Sequence, residues 1–404
     1  MKWRKPGHEF DRLGNMFVHS GGAKPILIYG AGHIGTVLCQ RLQNLGIVDG
    51  FIDHDEEKQK TGYLGLPVYD PEQIFQGNPA EPHIIVVALY PEKTARRILL
   101  RLTCAGYLPG VDCFWFEEFG GDMSVALPVY GMYVLDKVIL SSVGFIPCDR
   151  CNLNCRTCLN FTPYLSHFTA KPMEQNQKDI DLLFQWMDYT LHFEISGGEP
   201  LLYPQLDELI AYIGENYRQK MGVFETVTNG TVIPSHEICE LMKKYDMTVH
   251  LDNYTMAIPK ELDRREKVIE RFNEHEIQWN DNTVSEWVDL DVMHTDHSDM
   301  TEEQMAEFFD FCNVPWHTHE YGVMYTCNYA HFAERAGLYK TTDNEKFDLR
   351  KMTKERRREF LEFTLNFTQK GYSDFCRKCA GWGDCNTKRV PVAVQAERRK
   401  KIEK

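Results

Sequence analysis

The sequence predicts an α/β protein in three parts: a small parallel domain over residues 1–120, a longer βα series over 130–300, and a cysteine-bearing region over 301–390 followed by a charged tail at 391–404. Three observations predict it. Short apolar, β-rich runs alternate with helically spaced segments twice along the chain, the pattern of parallel strands joined by helical crossovers. Nine of the 13 cysteines fall in two groups, Cys148 to Cys158 and Cys312 to Cys385. With about 150 residues per domain as a guide, 404 residues allow two or three domains with their own cores.

Composition narrows the function classes. The 59 Asp and Glu outnumber the 45 Lys and Arg for a formal net charge of -14, which disfavours binding to a phosphate backbone, so no nucleic-acid partner is expected. A content of 43% hydrophobic and 26% charged residues excludes disorder. No apolar run approaches the ~20 residues of a membrane span, and the first residues lack the apolar core of a signal peptide. The expected location is cytoplasmic. In that reducing compartment cysteines are metal ligands or small buried apolar groups rather than disulfides. Cys39, Cys104, Cys113 and Cys239, scattered singly, read as the apolar kind.

The first domain opens with KPILIYGAGHIGTVLCQRLQNLG, which reads as strand, glycine turn and helix. Further strands are expected at GFIDHD, HIIVVAL and VDCFWF, with a helix from about Pro91 to Ala105 and the domain closing near Phe119. Gly30, Gly32 and Gly35 satisfy G-x-G-x-x-G between a strand and a helix, and Asp53 ends the next strand, where an acidic side chain can meet a ribose hydroxyl. This context predicts a Rossmann-like, nucleotide-binding domain. It amounts to one Rossmann half and has no Tyr-x3-Lys pair for hydride chemistry, which argues against a nicotinamide dehydrogenase.

The second series has strand candidates at VILSSVGFI, HFEIS, VFETVTN, MTVHLDN and IQWND, with helical stretches such as DIDLLFQWMDYTL and EICELMKKY between them. Its length suits a partial (β/α)6 barrel. Cys151, Cys155 and Cys158 form C-x3-C-x2-C in the loop after its first strand. Three soft thiolates on one loop can hold three corners of a four-iron cluster and leave one iron open, or form a structural zinc site completed by Cys148 or a histidine. About forty residues on, Ser196, Gly197, Gly198, Glu199 and Pro200 end the second strand. This pairing of motifs resembles the radical S-adenosylmethionine (radical SAM) superfamily. The resemblance implies a [4Fe-4S] cluster on the three cysteines, SAM chelated by its open iron, the GGEP segment holding the methionine amine, and an electron donor such as flavodoxin or ferredoxin. Thr228, Asn229 and Gly230 end the third strand and Asp252 and Asn253 the fourth, where relatives contact SAM. Relatives often carry an aromatic residue before the third cysteine, where this chain has Thr157.

In the last region Cys312, Gly322 and Cys327 match C-x9-G-x4-C, and Cys376, Cys379 and Cys385 match C-x2-C-x5-C. This is similar to the auxiliary-cluster extensions called SPASM and twitch domains. Position 389 is Arg and no cysteine follows Cys385, so the resemblance implies the smaller twitch form. One auxiliary [4Fe-4S] cluster is expected on Cys312, Cys327, Cys376 and Cys379, with Cys385 a substitute ligand or a free thiol. The same thiolates would also satisfy a zinc ribbon. His317 and His319 read as packed or solvated rather than ligating, the stripe Phe360, Phe363 and Phe367 as helical core, and RKMTKERRR as a solvated helix face.

The stretch IDHDEEKQKTGYLGLPVYDPEQI resembles small Rossmann-like domains of nucleotide-sugar acyltransferases, and CNLNCRTCLNFTPYL is similar to radical SAM proteins of surface-polysaccharide pathways. Together these imply a radical SAM enzyme acting on a carbohydrate, with a nucleotide-linked sugar as the expected substrate, by oxidation or epimerisation. The rivals are a peptide maturase, against which the α/β start argues, and a nucleotide-sensing scaffold with structural clusters.

Overall fold

The computed structural model describes residues 7–76, 82–312 and 316–397; residues 398–404 of the expected charged tail lie outside them. In the first unit β1 (Ile26–Tyr29), β2 (Val48–Ile52), β3 (Val68–Tyr69), β4 (Ile84–Val87) and β5 (Cys113–Trp115) form one parallel sheet in the order β3-β2-β1-β4-β5. The central strands ILIY and IIVV are buried throughout, as strands covered on both faces must be. The order reverses between β1 and β4, so the loops after these two strands flank the crevice where open α/β sheets bind ligands. The helix expected from Pro91 to Ala105 runs from Glu92 to Cys104.

The second sheet has eight strands in the order β10-β9-β8-β7-β6-β12-β13-β14. Five of them, β6 (Ile139–Cys148), β7 (Tyr189–Gly197), β8 (Met221–Thr228), β9 (Met247–Asp252) and β10 (Gln278–Asn282), are parallel neighbours in chain order and coincide with the five expected strands. The short β11 (Glu286–Val288) leaves this sheet to pair with β15 (Arg389–Pro391). The next parallel strand, β12 (His317–Glu320), joins the opposite edge beside β6, and β13 (Val323–Tyr325) and β14 (Lys346–Asp348) extend the edge antiparallel. Gly322 sits in the tight β12–β13 turn. Thus the sheet is not six consecutive strands: only five follow chain order.

The sequence gives no hint that the two units share a core. Phe17, Ile28 and Leu38 of the first belong to the same buried cluster as Ile139, Phe193 and Phe224 of the second. Where they meet, Tyr189 donates to the Arg41 carbonyl at 3.0 Å and Gln43 to that of Gly222 at 2.9 Å. The basic run is solvated over most of its length, as expected, but only its last two residues, Arg357 and Arg358, are helical. It forms short turns before the helix Arg357–Thr364, and Arg357 and Arg358 pair with Asp136 and Asp11. Phe360 and Phe363 are buried as expected, while Phe367 lies past the helix end, edge-on to Phe10.

Candidate functional site

The loop after β6 and the end of β7 meet. Gly197 and Gly198 pass directly over the backbone of residues 148–150, so a Cβ on Gly198 would run into the Asp149 and Arg150 carbonyls. Gly198 and Glu199 donate from their backbone nitrogens to the carbonyls of Cys148 (3.2 Å) and Arg150 (2.8 Å). The GGEP segment therefore fixes the entry to the cysteine loop, which is a close-approach role for glycine. Pro200 then opens a short turn, Pro200–Leu202.

Glu199 is buried, and its carboxylate accepts from the Asn229 backbone (2.8 Å), Thr228 Oγ1 (2.9 Å) and the Leu201 backbone (3.2 Å). Burial lifts its carboxyl to about 7 in spite of these bonds. It thereby clamps the end of β8 to the end of β7. Asn229 continues the chain of contacts: its Nδ2 donates to Asn152 Oδ1 at 3.0 Å and lies 3.8 Å from Cys151 Sγ. Asp252 accepts from Tyr254 (2.5 Å) and Asn282 (2.6 Å), and burial raises its pKa.

The three cysteines lie on one apolar floor. Cys151, Cys155 and Cys158 pack with Leu153, Ile258, Tyr254, Trp287, Val392 and Ala393. Removal from water pushes the Cys151 and Cys155 thiols up to about 12, so they give up their protons at neutral pH only to a group that stabilises the thiolate, such as a bound metal. Residues 391–397 lie against this loop: Gln395 Nε2 donates to Cys155 Sγ at 3.3 Å, and Arg156 donates to the Val394 carbonyl at 2.6 Å. Sequence reasoning missed Gln395 because no motif links it to a loop some 240 positions away.

The second cysteine set also converges. Cys312, Cys327, Cys376 and Cys379 line one cavity with Tyr329 and Trp382. Burial drives the Cys376 and Cys379 thiols upward and that of Cys327 to about 12, whereas Cys312 is raised first by its hydrogen bond with Cys385 and then by burial. Cys385 donates to the Trp382 carbonyl at 2.8 Å. His317 and His319 are buried, and loss of water lowers both to about 4. They belong to the packed interior.

Zinc binds sulfur at about 2.3 Å, so tetrahedral thiolates around it stand about 3.8 Å apart. Among the described residues the one group of three or more His, Cys, Asp or Glu whose ligand atoms all lie within 4.8 Å is His236, Glu274 and His275; neither cysteine set meets that limit. Neither set is thus gathered around one point as the tetrahedral shell of a single ion would be.

In the first unit the Gly30-Gly35 loop opens the helix His33–Leu42, with Gly32 at its N-cap, and a Cβ at Gly35 would strike the Gly30 carbonyl. Asp53 Oδ2 accepts from the Ala31 backbone at 2.7 Å, so its carboxylate faces the loop.

The face of β6–β9 away from the helices carries polar side chains, several of which the motifs do not include. Along β7, part-exposed His192, Glu194 and Ser196 alternate with buried neighbours, and Val223 and Val227 on β8 and His250 and Asp252 on β9 continue the open face. Glu225 accepts from His192 (2.9 Å) and His250 (3.0 Å). Burial opposes its charge, but the two histidines prevail and hold it at about 2. Ile146, on the same face of β6, packs with Leu290, Tyr329 and Phe332, so the cysteine-bearing region roofs this face.

Comparison with known proteins agrees with this geometry. The profile of the Radical SAM superfamily matches residues 145–280, and the chain carries a radical SAM domain there. A stretch of 101 residues, 25% of this chain, is 33% identical to the antilisterial bacteriocin subtilosin biosynthesis protein AlbA of Bacillus subtilis (strain 168). The match spans 20% of that relative's length. Among solved structures, Streptococcus suis SuiB bound to precursor peptide SuiA aligns over 69% of this chain and 50% of its own, with 18% identity and a TM-score of 0.30. BtrN in complex with AdoMet and 2-DOIA aligns over 59% and 92%, with 16% identity and a TM-score of 0.36. No helix among the described residues is long and apolar enough to cross a membrane.

Proposed function

We infer that the protein is a radical SAM enzyme that modifies a peptide. The observation that carries the chemistry is the closure of the Cys151/Cys155/Cys158 loop onto the GGEP strand end, inside the matched domain. A [4Fe-4S] cluster with SAM on its open iron would supply reductive cleavage of SAM to methionine and a 5'-deoxyadenosyl radical that removes a substrate hydrogen. Cys151, Cys155 and Cys158 would hold that cluster. Ser196 to Pro200, Thr228, Asn229 and Asp252 form the rim at the ends of β7, β8 and β9 that would receive SAM, with Glu199 fixing the β7 and β8 ends together. An exchangeable donor such as flavodoxin or ferredoxin would bring the electron.

Cys312, Cys327, Cys376 and Cys379 would hold a second, auxiliary cluster, with Cys385 at its edge beside Cys312. The walls of Tyr329, Phe375 and Trp382 keep water from it. The peptide assignment replaces the carbohydrate expectation because AlbA, the relative of highest identity described above, is a bacteriocin biosynthesis protein.

A nucleotide-linked sugar stays as a second reading, favoured by the glycine loop at the β1/β4 crevice with Asp53 turned towards it. One experiment separates the two. The reconstituted, reduced protein is incubated with SAM and either short synthetic peptides or nucleotide-sugars, and 5'-deoxyadenosine is measured. Stimulation by peptides alone supports the first reading, stimulation by a nucleotide-sugar alone replaces it with the second, and no release under any condition removes both.

A further inference from the structure

We propose that Glu194 is the group that takes a proton from the substrate where the second sheet faces the cysteine-bearing region. The assignment rests on the radical SAM reading given above and adds the acid–base partner that its motifs do not supply. It begins with placement. Glu194 lies at the centre of β7, opposite Gly144 of β6 and Glu225 of β8 in the strand register. Residues paired across parallel strands point to the same face, so Gly144 leaves room beside the Glu194 side chain rather than filling it.

The Glu194 side chain keeps part of its surface accessible, although the groups packed around it remove most of its water. His192, Glu194 and Ser196 are part-exposed while Leu191, Phe193 and Ile195 between them are buried against the helices. A carboxylate on the helix side would be sealed in the core; this one faces Tyr329 of the cysteine-bearing region. Its position also bridges the two cysteine sites. Two residues further along the strand, Ser196 begins the GGEP segment, and from the other side the charge of Glu194 acts on buried Tyr329, which lines the second cysteine cavity. Glu194 thus lies on the strand that leads to the first site and within electrostatic reach of the wall of the second.

The surrounding charges indicate the chemistry of the group accepted. Facing Glu194 are Glu225 on β8, His250 and Asp252 on β9, Ser196 on its own strand and Tyr329 from the helix Asn328–Arg335. His192, the next residue on the same face of β7, is bonded to Glu225. The open positions of β6 to β9 include no lysine or arginine. Glu225 is balanced by His192 and His250, while the carboxyls of Glu194 and Asp252 beside it, once ionised, disfavour phosphate and carboxylate groups and accept from hydroxyl, amide or ammonium donors. The reacting part of the substrate is therefore a neutral or cationic hydrogen-bond donor.

His192 and His250 are committed to Glu225, which they hold ionised. Glu194 is left as the exchangeable group: burial first, and then the Glu225 charge, lift its carboxyl to about 7. A carboxyl in that range can change protonation at neutral pH, as a general base requires. In the step itself the O–H or N–H bond of the substrate breaks, its electron pair stays on the substrate heteroatom, and the proton forms an O–H bond on a Glu194 Oε atom. Each change is balanced within that pair. His192, Glu225 and His250 are positioning residues for it.

The test uses the reconstituted full chain with SAM, reductant and a probe panel of short peptides and nucleotide-sugars, reading product formed per 5'-deoxyadenosine released. In wild type this ratio rises as pH passes upward through about 7, where Glu194 ionises. E194Q loses that limb and the ratio falls by about 10²-fold or more, whereas E194D restores part of it. A second readout needs no cofactor: the infrared spectrum of wild type minus E194Q shows a protonated-carboxyl band that titrates near neutrality. E194Q with the wild-type ratio and pH limb overturns the assignment while leaving the radical reading intact. Absence of 5'-deoxyadenosine from wild type overturns the radical reading and this assignment with it, and release without product from any member of the panel overturns the assignment.

Discussion

Cys151, Cys155 and Cys158 come from one loop and meet a rim assembled at neighbouring strand ends, whereas Cys312, Cys327, Cys376 and Cys379 are drawn from separate segments into one apolar cavity. The first site is bordered by side chains that can hydrogen-bond a ligand: Asn229, Asp252, Glu199 and Gln395. The second is walled by Phe308, Phe309, Phe375 and Trp382. A metal group in the first can present itself to a small molecule; one in the second is closed in by aromatic rings. On the proposed reading bond-breaking belongs to the first site and a supporting role to the second, and each half can be tested.

The largest expected effect separates the two sites by metal content. Replacing Cys155 by Ala removes the iron and sulfide held by the first site and leaves that of the second, and C376A does the reverse. Iron and sulfide analysis of the purified, reconstituted variants should show each retaining about half the wild-type content, since each site is expected to hold one four-iron group. Equal loss at both sites in either variant would break the comparison.

Next is the backbone contact that builds the first site. G198A places a methyl group against the Asp149 and Arg150 carbonyls, and overpacking of this kind costs about 1–3 kcal/mol. Because the strain falls on the cysteine loop, the variant should lose iron from the first site while keeping the second. Chemical denaturation together with iron analysis checks both parts.

E225Q probes the polar face. Removing one partner of a buried charge array costs about 3 kcal/mol at pH 7. Glu225 is held at about 2 against an ordinary 4.5. Its stabilisation is therefore complete above pH 4.5 and is lost as pH falls through 4.5 towards 2. The wild-type and E225Q unfolding midpoints should converge across that interval. A difference that persists unchanged at pH 2 would mean that the array is not ionic.

The smallest effect is in the first unit. D53A removes the acceptor for the Ala31 amide and should cost about 1 kcal/mol, with iron content unchanged at both cysteine sites. Thermal unfolding measures the loss. A fall in iron would show that the glycine loop and the first cysteine site are one structural unit.

Legibility in the sequence follows the same division. The strands β6–β10 and four of the five strands of the first unit were readable as short runs bounded by turns, and the first cysteine site because its spacing is local, whereas β3, only Val68–Tyr69, falls in LGLPVYDP, which reads as a loop. The chain order of the second sheet broke down at β11 and β12, since periodicity identifies a strand but not the edge it joins. Gln395 was invisible because its role depends on residues 391–397 folding back across the cysteine loop. His192, Glu194 and Ser196 did carry a signal, a polar residue at every second position of HFEIS, which marks a strand with one open face. Its partners Glu225 and His250 lie on other strands, so the array emerges only from the strand register.

The central claim is that SAM is cleaved at Cys151, Cys155 and Cys158 and not at the second cysteine set. The most direct measurement is 5'-deoxyadenosine release from SAM by reduced, reconstituted wild type, C155A and C376A side by side. The account predicts release by wild type and C376A and none above background by C155A. Release by C155A at the wild-type rate, or its loss in C376A alone, would contradict it.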